Sequence, residues 1–272
     1  MADIPDLTSE QFRKFADLIR REASITLREQ KIVLLSNRLR RRALATGCAN
    51  FDEYFAFVTS KPEERRPFLE AITTNESYFW RSTASFDLMK KVALPQLLKA
   101  YPKAPIQIWS AGCSTGEEPY NIAMEVTEAM KSLGVFPYQV IATDISARVV
   151  DFAKVGRYSG RKIEKIPPLL LYRYFRADPE SKGQFLVRDD LRTKIDFRVE
   201  NLFESTPRNI HCIFCRNVMI YFQKADQEIL IRRFYDALVP GGFLLVGHSE
   251  SLHVLQADFT PVHCPDGVIY RK

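Results

Sequence analysis

Ile106-Gln107-Ile108-Trp109-Ser110-Ala111 is a short, β-rich apolar run that ends in a turn of small residues, Gly112-Cys113-Ser114-Thr115-Gly116. A helix is expected to open directly behind it, because Glu117-Glu118-Pro119-Tyr120 combines first-turn carboxylates with an early proline. Strand, small-residue turn and helix make the ligand corner of a nucleotide-binding α/β sheet, where small residues let a ligand approach the backbone. The two acids select the ligand. They would repel a pyrophosphate, since a phosphate-binding helix N-terminus presents bare N–H groups. A neutral or cationic ligand suits them, such as S-adenosylmethionine, a sulfonium that also carries an ammonium and two ribose hydroxyls.

Two more stretches supply polar groups. Asp144 closes the next apolar run, Tyr138–Asp144, where such sheets place the acid that binds ribose hydroxyls. Its other reading is an N-cap for a helix over Ile145–Ala153; the glycine turn upstream favours the ribose role. Thr73-Thr74-Asn75-Glu76-Ser77-Tyr78-Phe79-Trp80-Arg81 is polar and aromatic. Phe79 and Trp80 suit cementing the two domains, whereas Asn75, Ser77 and Arg81 are harder to explain that way. If the stretch is helical, Ser77 and Arg81 share a face.

The elements that must position these residues follow in order. A helix is expected over Ser85–Tyr101, another over Glu117–Leu133, and a third strand over Ile195–Glu200, followed by Asn201-Leu202-Phe203. Ile210–Asn217 is the fourth strand, Asp226–Leu238 a helix, Pro240-Gly241-Gly242 a turn and Phe243–Val246 the fifth strand. Phe259–His263 and Val268–Arg271 flank Pro265-Asp266-Gly267, a hairpin signal. A parallel sheet finished by an antiparallel hairpin is the plan of class I S-adenosylmethionine-dependent methyltransferases, a Rossmann-like α/β fold. Residues 156–194 are too long for a sheet connection and read as an inserted subdomain, helical over Leu169–Phe175 with a small β element near Phe185–Val187.

The chain of 272 residues, 46% hydrophobic, has room for one large and one small domain. The small one is an all-α domain over residues 1–70, with helices over Thr8–Arg21, Leu27–Ala45 and Asn50–Val58. Lys61–Pro67 suits a junction, and residues 71–272 hold the ligand-binding domain, with a linker helix in 71–101. The net charge is a mild +6. Its densest part is the basic helix within 27–46, where Arg38, Arg40, Arg41 and Arg42 follow an apolar stripe of Ile32, Leu35, Leu39 and Ala43. Two readings stand: a solvated face whose cations favour a helix C-terminus, or a docking surface for an acidic partner, with Arg38, Arg41 and Arg42 on a shared face. Acids at Asp3, Asp6 and Glu10 argue against a signal peptide, and no run reaches bilayer-spanning length. Five scattered cysteines do not suggest a disulfide framework and point to the cytoplasm. Cys212 and Cys215 would lie on opposite faces of a strand, and the histidines lack ligand spacing, so no metal is expected.

The string Phe214-Cys215-Arg216-Asn217-Val218-Met219-Ile220-Tyr221-Phe222 brings these pieces together. With Thr73-Thr74-Asn75, Phe79-x-Arg81, Gly116-Glu117-Glu118-Pro119-Tyr120, Asp144-Ile145, Asn201-Leu202 and Gly247-His248-Ser249-Glu250, it resembles the CheR family of bacterial chemoreceptor glutamate methyltransferases. The resemblance implies methyl transfer from S-adenosylmethionine, leaving S-adenosylhomocysteine, to glutamates on the cytoplasmic helical bundle of chemoreceptors. It implies a monomer working in the cytoplasm at membrane-bound receptor arrays. It assigns cofactor contacts to Asn75, Ser77, Arg81, Glu118, Asp144, Asn201, Leu202, Arg216 and Asn217, and places Arg81 and Tyr221 beside the reacting methyl. Ser77 stands where enteric members carry threonine. Whether Glu117 or Glu118 meets the ligand stays open. Members that dock on a receptor's C-terminal peptide carry a Gly-x-Gly loop that Ala177–Gly183 does not clearly show. Of the alternatives, a nucleic-acid methylase that flips adenine would carry Pro-Pro-aromatic after the fourth strand, and Asn217-Val218-Met219-Ile220-Tyr221 has no proline. A non-enzymatic receptor-binding module has no need of the glycine turn, Asp144 and Arg81 together.

Overall fold

The structure, a computed structural model, describes residues 4–248, 250 and 258–272; Asp3 and Ser249, both used above, lie outside the described residues. The chain divides into two compact units, 1–74 with 221–226, and 75–220 with 227–272.

The first unit is helical. Helix α1 (Ser9–Ala23) begins at Thr8, whose hydroxyl accepts from the Gln11 N–H while the Gln11 amide accepts from the Thr8 N–H, a reciprocal capping box. Helix α2 (Ile32–Ala45) ends before Gly47, helix α3 (Phe51–Ser60) is capped by Asn50, and α4 spans Pro62–Ile72. Phe15 lies at the centre of their core, stacked on Tyr54 at 6.0 Å and edge-on to Phe55 at 5.2 Å. Two expectations need correction. The basic helix does not begin at Leu27: the Thr26 N–H donates to the Tyr221 carbonyl, a 3-10 turn follows over Glu29–Lys31, and α2 starts only at Ile32. Residues 61–67 are no junction either. Pro62 occupies the first turn of α4, where its missing N–H costs nothing, and Phe68 and Ile72 bury its inner face. The change of unit falls at Thr74–Asn75.

In the second unit, which starts at Asn75, residues 75–78 are not helical, so Ser77 and Arg81 do not share a helix face. The stretch is instead held by side chains of other elements, described below, with Trp80 and Ser82 at φ of +57° and +56°. Helix α5 (Ala84–Leu88) runs through one π-helical turn (Met89–Ala93) into α6 (Leu94–Ala100). Next come β1 (Ile106–Ala111), α7 (Glu117–Leu133), β2 (Tyr138–Asp144) and α8 (Ala147–Val155). The insertion contains β3 (Arg157–Tyr158), α9 (Pro168–Tyr174), β4 (Phe175–Ala177), β5 (Phe185–Val187) and α10 (Asp189–Arg192). Its strands form their own antiparallel sheet, ordered β3-β5-β4. The main sheet resumes with β6 (Ile195–Val199), β7 (Ile210–Cys215), α11 (Lys224–Ala237), β8 (Leu238–Val246), β9 (Thr260–Cys264) and β10 (Gly267–Arg271).

The seven main strands are ordered β6-β2-β1-β7-β8-β10-β9. The first five are parallel, and β10 runs antiparallel to both β8 and β9. This is the class I methyltransferase sheet. Pro240-Gly241-Gly242 does not precede β8 as a turn but lies within it. Register passes from Ile210↔Leu238 to Cys212↔Phe243, so β8 carries extra residues there as an irregularity in the pairing. Chain order reverses between β1 and β7, and the crevice beyond the C-terminal strand ends at such a switch point is where open α/β sheets bind ligands.

Candidate active site

Three strand ends deliver side chains to this crevice. After β1 the chain turns through Gly112, Ser114 and Gly116 at φ of +85°, +50° and +91°. At Gly116 an added Cβ would stand 2.6 Å from the Ala153 Cβ and 2.8 Å from the Tyr158 hydroxyl, so only glycine lets the turn pack against α8 and the insertion. Asp144, at the end of β2, accepts the Ser114 N–H at 2.8 Å on one carboxylate oxygen and the Ser146 N–H at 3.0 Å on the other. The α8 N-cap is Ser146, not Asp144. The Ile145 N–H is a third backbone donor to this carboxylate, which leaves an acceptor position open for a ribose hydroxyl. Burial pushes the Asp144 carboxyl above its ordinary value, against the pull of the backbone donors.

The adjacent glutamates at the start of α7 point to different places. Glu117 is wholly buried, accepts from the Thr115 hydroxyl at 2.8 Å and 2.9 Å, and pairs with Lys162 of the insertion. Lys162 also donates to the Thr115 hydroxyl at 2.7 Å, and the Tyr158 hydroxyl donates to the Thr115 carbonyl at 2.6 Å. Glu118 accepts from Ser110 at 2.8 Å and pairs with Arg216, at the end of β7, at 3.3 Å. Burial raises the Glu118 carboxyl, opposed by Arg216 and Ser110. Of the two, Glu118 is therefore the one turned toward the switch point, and Glu117 ties the turn to the insertion.

Residues 75–82 form a strap, held at several points. The Ser114 hydroxyl donates to the Asn75 carbonyl at 3.2 Å, and Lys162 donates to the Ser77 carbonyl at 3.4 Å. The Phe79 N–H donates to the Lys162 carbonyl at 3.0 Å, and the Trp80 N–H to the Asn121 side-chain oxygen at 2.7 Å. Phe79 is buried edge-on against Tyr158 and Phe175, both of the second unit itself. Arg216 donates to the carbonyls of Arg81 and Ser82 and lies over the Phe86 ring at 5.2 Å. Arg81 donates to the Glu76 carbonyl at 2.9 Å and sits 5.9 Å from the Tyr78 ring centroid.

Thus Asn75, Ser77, Arg81, Glu118, Asp144 and Arg216 belong to one connected network around the glycine turn. Asn217 follows Arg216 at φ +59°. Asn201 and Leu202 lie just beyond β6, where the Asn201 side chain accepts from the Phe203 N–H at 3.1 Å and Leu202 is buried. Tyr221 groups with the helical unit. So do Arg38, Arg41 and Arg42, expected from the sequence to dock a partner, of which two are engaged internally. Arg42 forms a two-pronged pair with buried Glu64 at 2.8 Å and 2.6 Å, joined by the Tyr54 hydroxyl. Arg38 donates to the Ile72 carbonyl and to Thr74. Arg41 is exposed. Sequence reasoning missed Lys162, Tyr158, Ser110 and Asn121; their types carry no motif, and only the tertiary fold brings them to the turn.

The sheet order, the glycine turn and the acid that closes β2 define a class I methyltransferase. A family model described as the CheR methyltransferase SAM-binding domain matches residues 75–268, and one described as the CheR methyltransferase all-alpha domain matches residues 10–73. The chain belongs to the CheR family. It is 36% identical to chemotaxis protein methyltransferase 2 of Pseudomonas aeruginosa, covering 95% of this chain and 94% of that protein. Against the chemotaxis protein methyltransferase of Escherichia coli it is 35% identical, covering 93% of this chain and 88% of that one. No helix among the described residues is long and apolar enough to cross a membrane.

Proposed function

We propose that this protein transfers a methyl group from S-adenosylmethionine to glutamate side chains on the cytoplasmic helices of chemoreceptors, forming methyl esters. The observation that carries the donor part is Asp144. Its carboxylate is bonded to the glycine turn through Ser114, with an acceptor position to spare for a ribose hydroxyl. Bound S-adenosylmethionine supplies an activated methyl on a sulfonium. Glu118 offers negative charge toward the donor's cationic groups, while Arg216 holds Glu118 and the strap together. Asn75, Ser77, Asn201, Leu202 and Asn217 are proposed as further contacts.

The acceptor carboxylate has an ordinary pKa of about 4.3 and is ionised at neutral pH, so the site needs no general base. With S-adenosylmethionine bound, an oxygen of this carboxylate would accept the methyl carbon as the carbon–sulfur bond breaks, the electron pair staying on sulfur. What the protein must supply is alignment, where orientation is worth several kcal/mol. We assign Arg81 to orienting the acceptor, because a tight salt bridge would weaken the nucleophile. Tyr221 is assigned as a wall and hydrogen-bond donor. The exposed Arg41, with Arg38 and Arg42 beside it, is proposed to attract the acidic receptor helix, chiefly raising the encounter rate. The enzyme would then act as a cytoplasmic monomer recruited to receptor arrays. Incubation with methyl-labelled donor and receptor cytoplasmic fragments tests the reading. The expected product is label on the receptor that alkali releases as methanol; alkali-stable label would refute ester formation.

A further inference from the structure

The Gly247-His248-Ser249-Glu250 stretch belongs to the family pattern but has no part in the chemistry above. Glu250 is buried, and its carboxylate accepts from four backbone N–H groups. One oxygen takes Asn217 at 2.6 Å and Gly247 at 2.9 Å; the other takes Val218 at 2.9 Å and Ile220 at 3.2 Å. Three of these donors belong to the loop after β7, where Asn217 at φ +59° turns the backbone so that its N–H groups converge. Such a concavity is an anion nest, filled here by the chain's own side chain. Gly247 makes the approach possible. A Cβ there would stand 2.3 Å from the Glu250 carboxylate and 3.1 Å from the Asn217 nitrogen.

The loop that Glu250 pins begins with Arg216 and Asn217. Arg216 in turn holds Glu118 and the carbonyls of Arg81 and Ser82. We propose that Glu250 is a positioning residue of the methyl-donor site: by filling the nest it fixes the loop after β7, and so the Arg216–Glu118 pair and Asn217. This rests on the donor reading given above. A carboxylate suits the task because all four partners are donors, and an uncharged amide cannot accept four bonds without turning its own N–H groups toward some of them.

The test uses the full chain with Glu250→Gln, which keeps size and removes the charge and half the acceptors, and Glu250→Asp, which keeps the charge on a shorter arm. Titration calorimetry with S-adenosylhomocysteine is expected to give a Kd at least tenfold weaker for Glu250→Gln, with partial recovery for Glu250→Asp. A glutamate that merely stabilises the fold would lower the melting temperature and leave the Kd of the folded protein within twofold, which would overturn the proposal. If Glu250→Gln does not fold, Gly247→Ala displaces the carboxylate without deleting it; the same weakening is expected, and an unchanged Kd overturns the role. Failure of the unaltered chain to bind S-adenosylhomocysteine would overturn the donor reading and this role together. Normal binding by that chain with unchanged variants would overturn this role alone.

Discussion

Asp144→Asn is expected to weaken S-adenosylhomocysteine binding by roughly 10- to 150-fold. Asparagine keeps the shape of the side chain but can place only one carbonyl oxygen where two carboxylate oxygens now accept from Ser114 and Ser146. Its amino group must face one of those N–H donors, and the ribose hydroxyls lose a charged acceptor. A hydrogen bond to a charged group is worth about 1.5–3 kcal/mol, and each 1.4 kcal/mol is about tenfold in Kd, which gives the range. Burial raises the Asp144 carboxyl, so the free site begins to take up a proton at a higher pH than an exposed aspartate would. The ligand favours the ionised form, so the affinity of the unaltered protein should fall as pH drops from neutral toward the carboxylate range. In Asp144→Asn the part of that slope due to residue 144 should vanish, while the Glu118 part remains. The sign for folding is opposite: a raised carboxyl pKa means that ionisation costs stability as pH rises through it, and asparagine removes that cost. Calorimetric titration from neutral pH downward, with melting curves on the same samples, separates affinity from folding. A Kd within twofold of the unaltered protein, or parallel pH slopes, would refute the assignment.

Arg81→Ala and Tyr221→Phe are expected to lower receptor methylation more than they lower the melting temperature; normal turnover in both would remove them from the reacting centre. Lys162→Met keeps the aliphatic stem but leaves Glu117 buried without its cation, a loss of about 2 kcal/mol, below that of a fully buried pair because Lys162 is partly exposed. Denaturant unfolding should show the loss, and adding Glu117→Gln should restore part of it. Arg42→Met strands Glu64 in the same way and should cost about 2 kcal/mol, scaled down from a fully buried pair because Arg42 is partly exposed. Arg41→Glu should instead leave stability and S-adenosylhomocysteine affinity intact and slow receptor methylation at low salt. That defect should shrink as salt rises, and normal low-salt kinetics would make α2 a solvated face and nothing more.

Local signals carried much of the architecture. The ends of β1, α7 and β2 follow from residues whose roles are settled nearby: the apolar runs, the glycines at 112 and 116, and the acids that open α7. Gly267 and its neighbours marked the closing hairpin for the same reason. The failures are places where a distant partner decides. The Thr26 N–H is claimed by a carbonyl almost 200 positions away, so α2 starts later than its periodicity suggests. Residues 75–82 have helix-compatible spacing, but Asn121, Ser114 and Arg216 claim their backbone groups first. The arginine cluster shows the limit most clearly. Spacing put Arg38, Arg41 and Arg42 on shared faces, but only the fold reveals Glu64 and Thr74 as partners for two of them.

Glu117 and Glu118 show how one short motif joins two tasks. Neighbours on a helix point about 100° apart, so a pair of acids in the first turn must face different surroundings while both gain from the helix dipole. Glu118 turns to Ser110 and Arg216 at the strand ends, where negative charge can meet a cationic donor. Glu117 turns to Lys162 and, through Thr115, to Tyr158 of the insertion. The glycine turn between them is therefore gripped from both sides, by the sheet and by the insertion. A turn carrying a buried carboxylate cannot shift without exposing that charge or separating it from its cation. The insertion thus acts as a brace for the turn, whatever else it binds, and its deletion should damage the donor site even though none of the assigned donor contacts lies within residues 156–194.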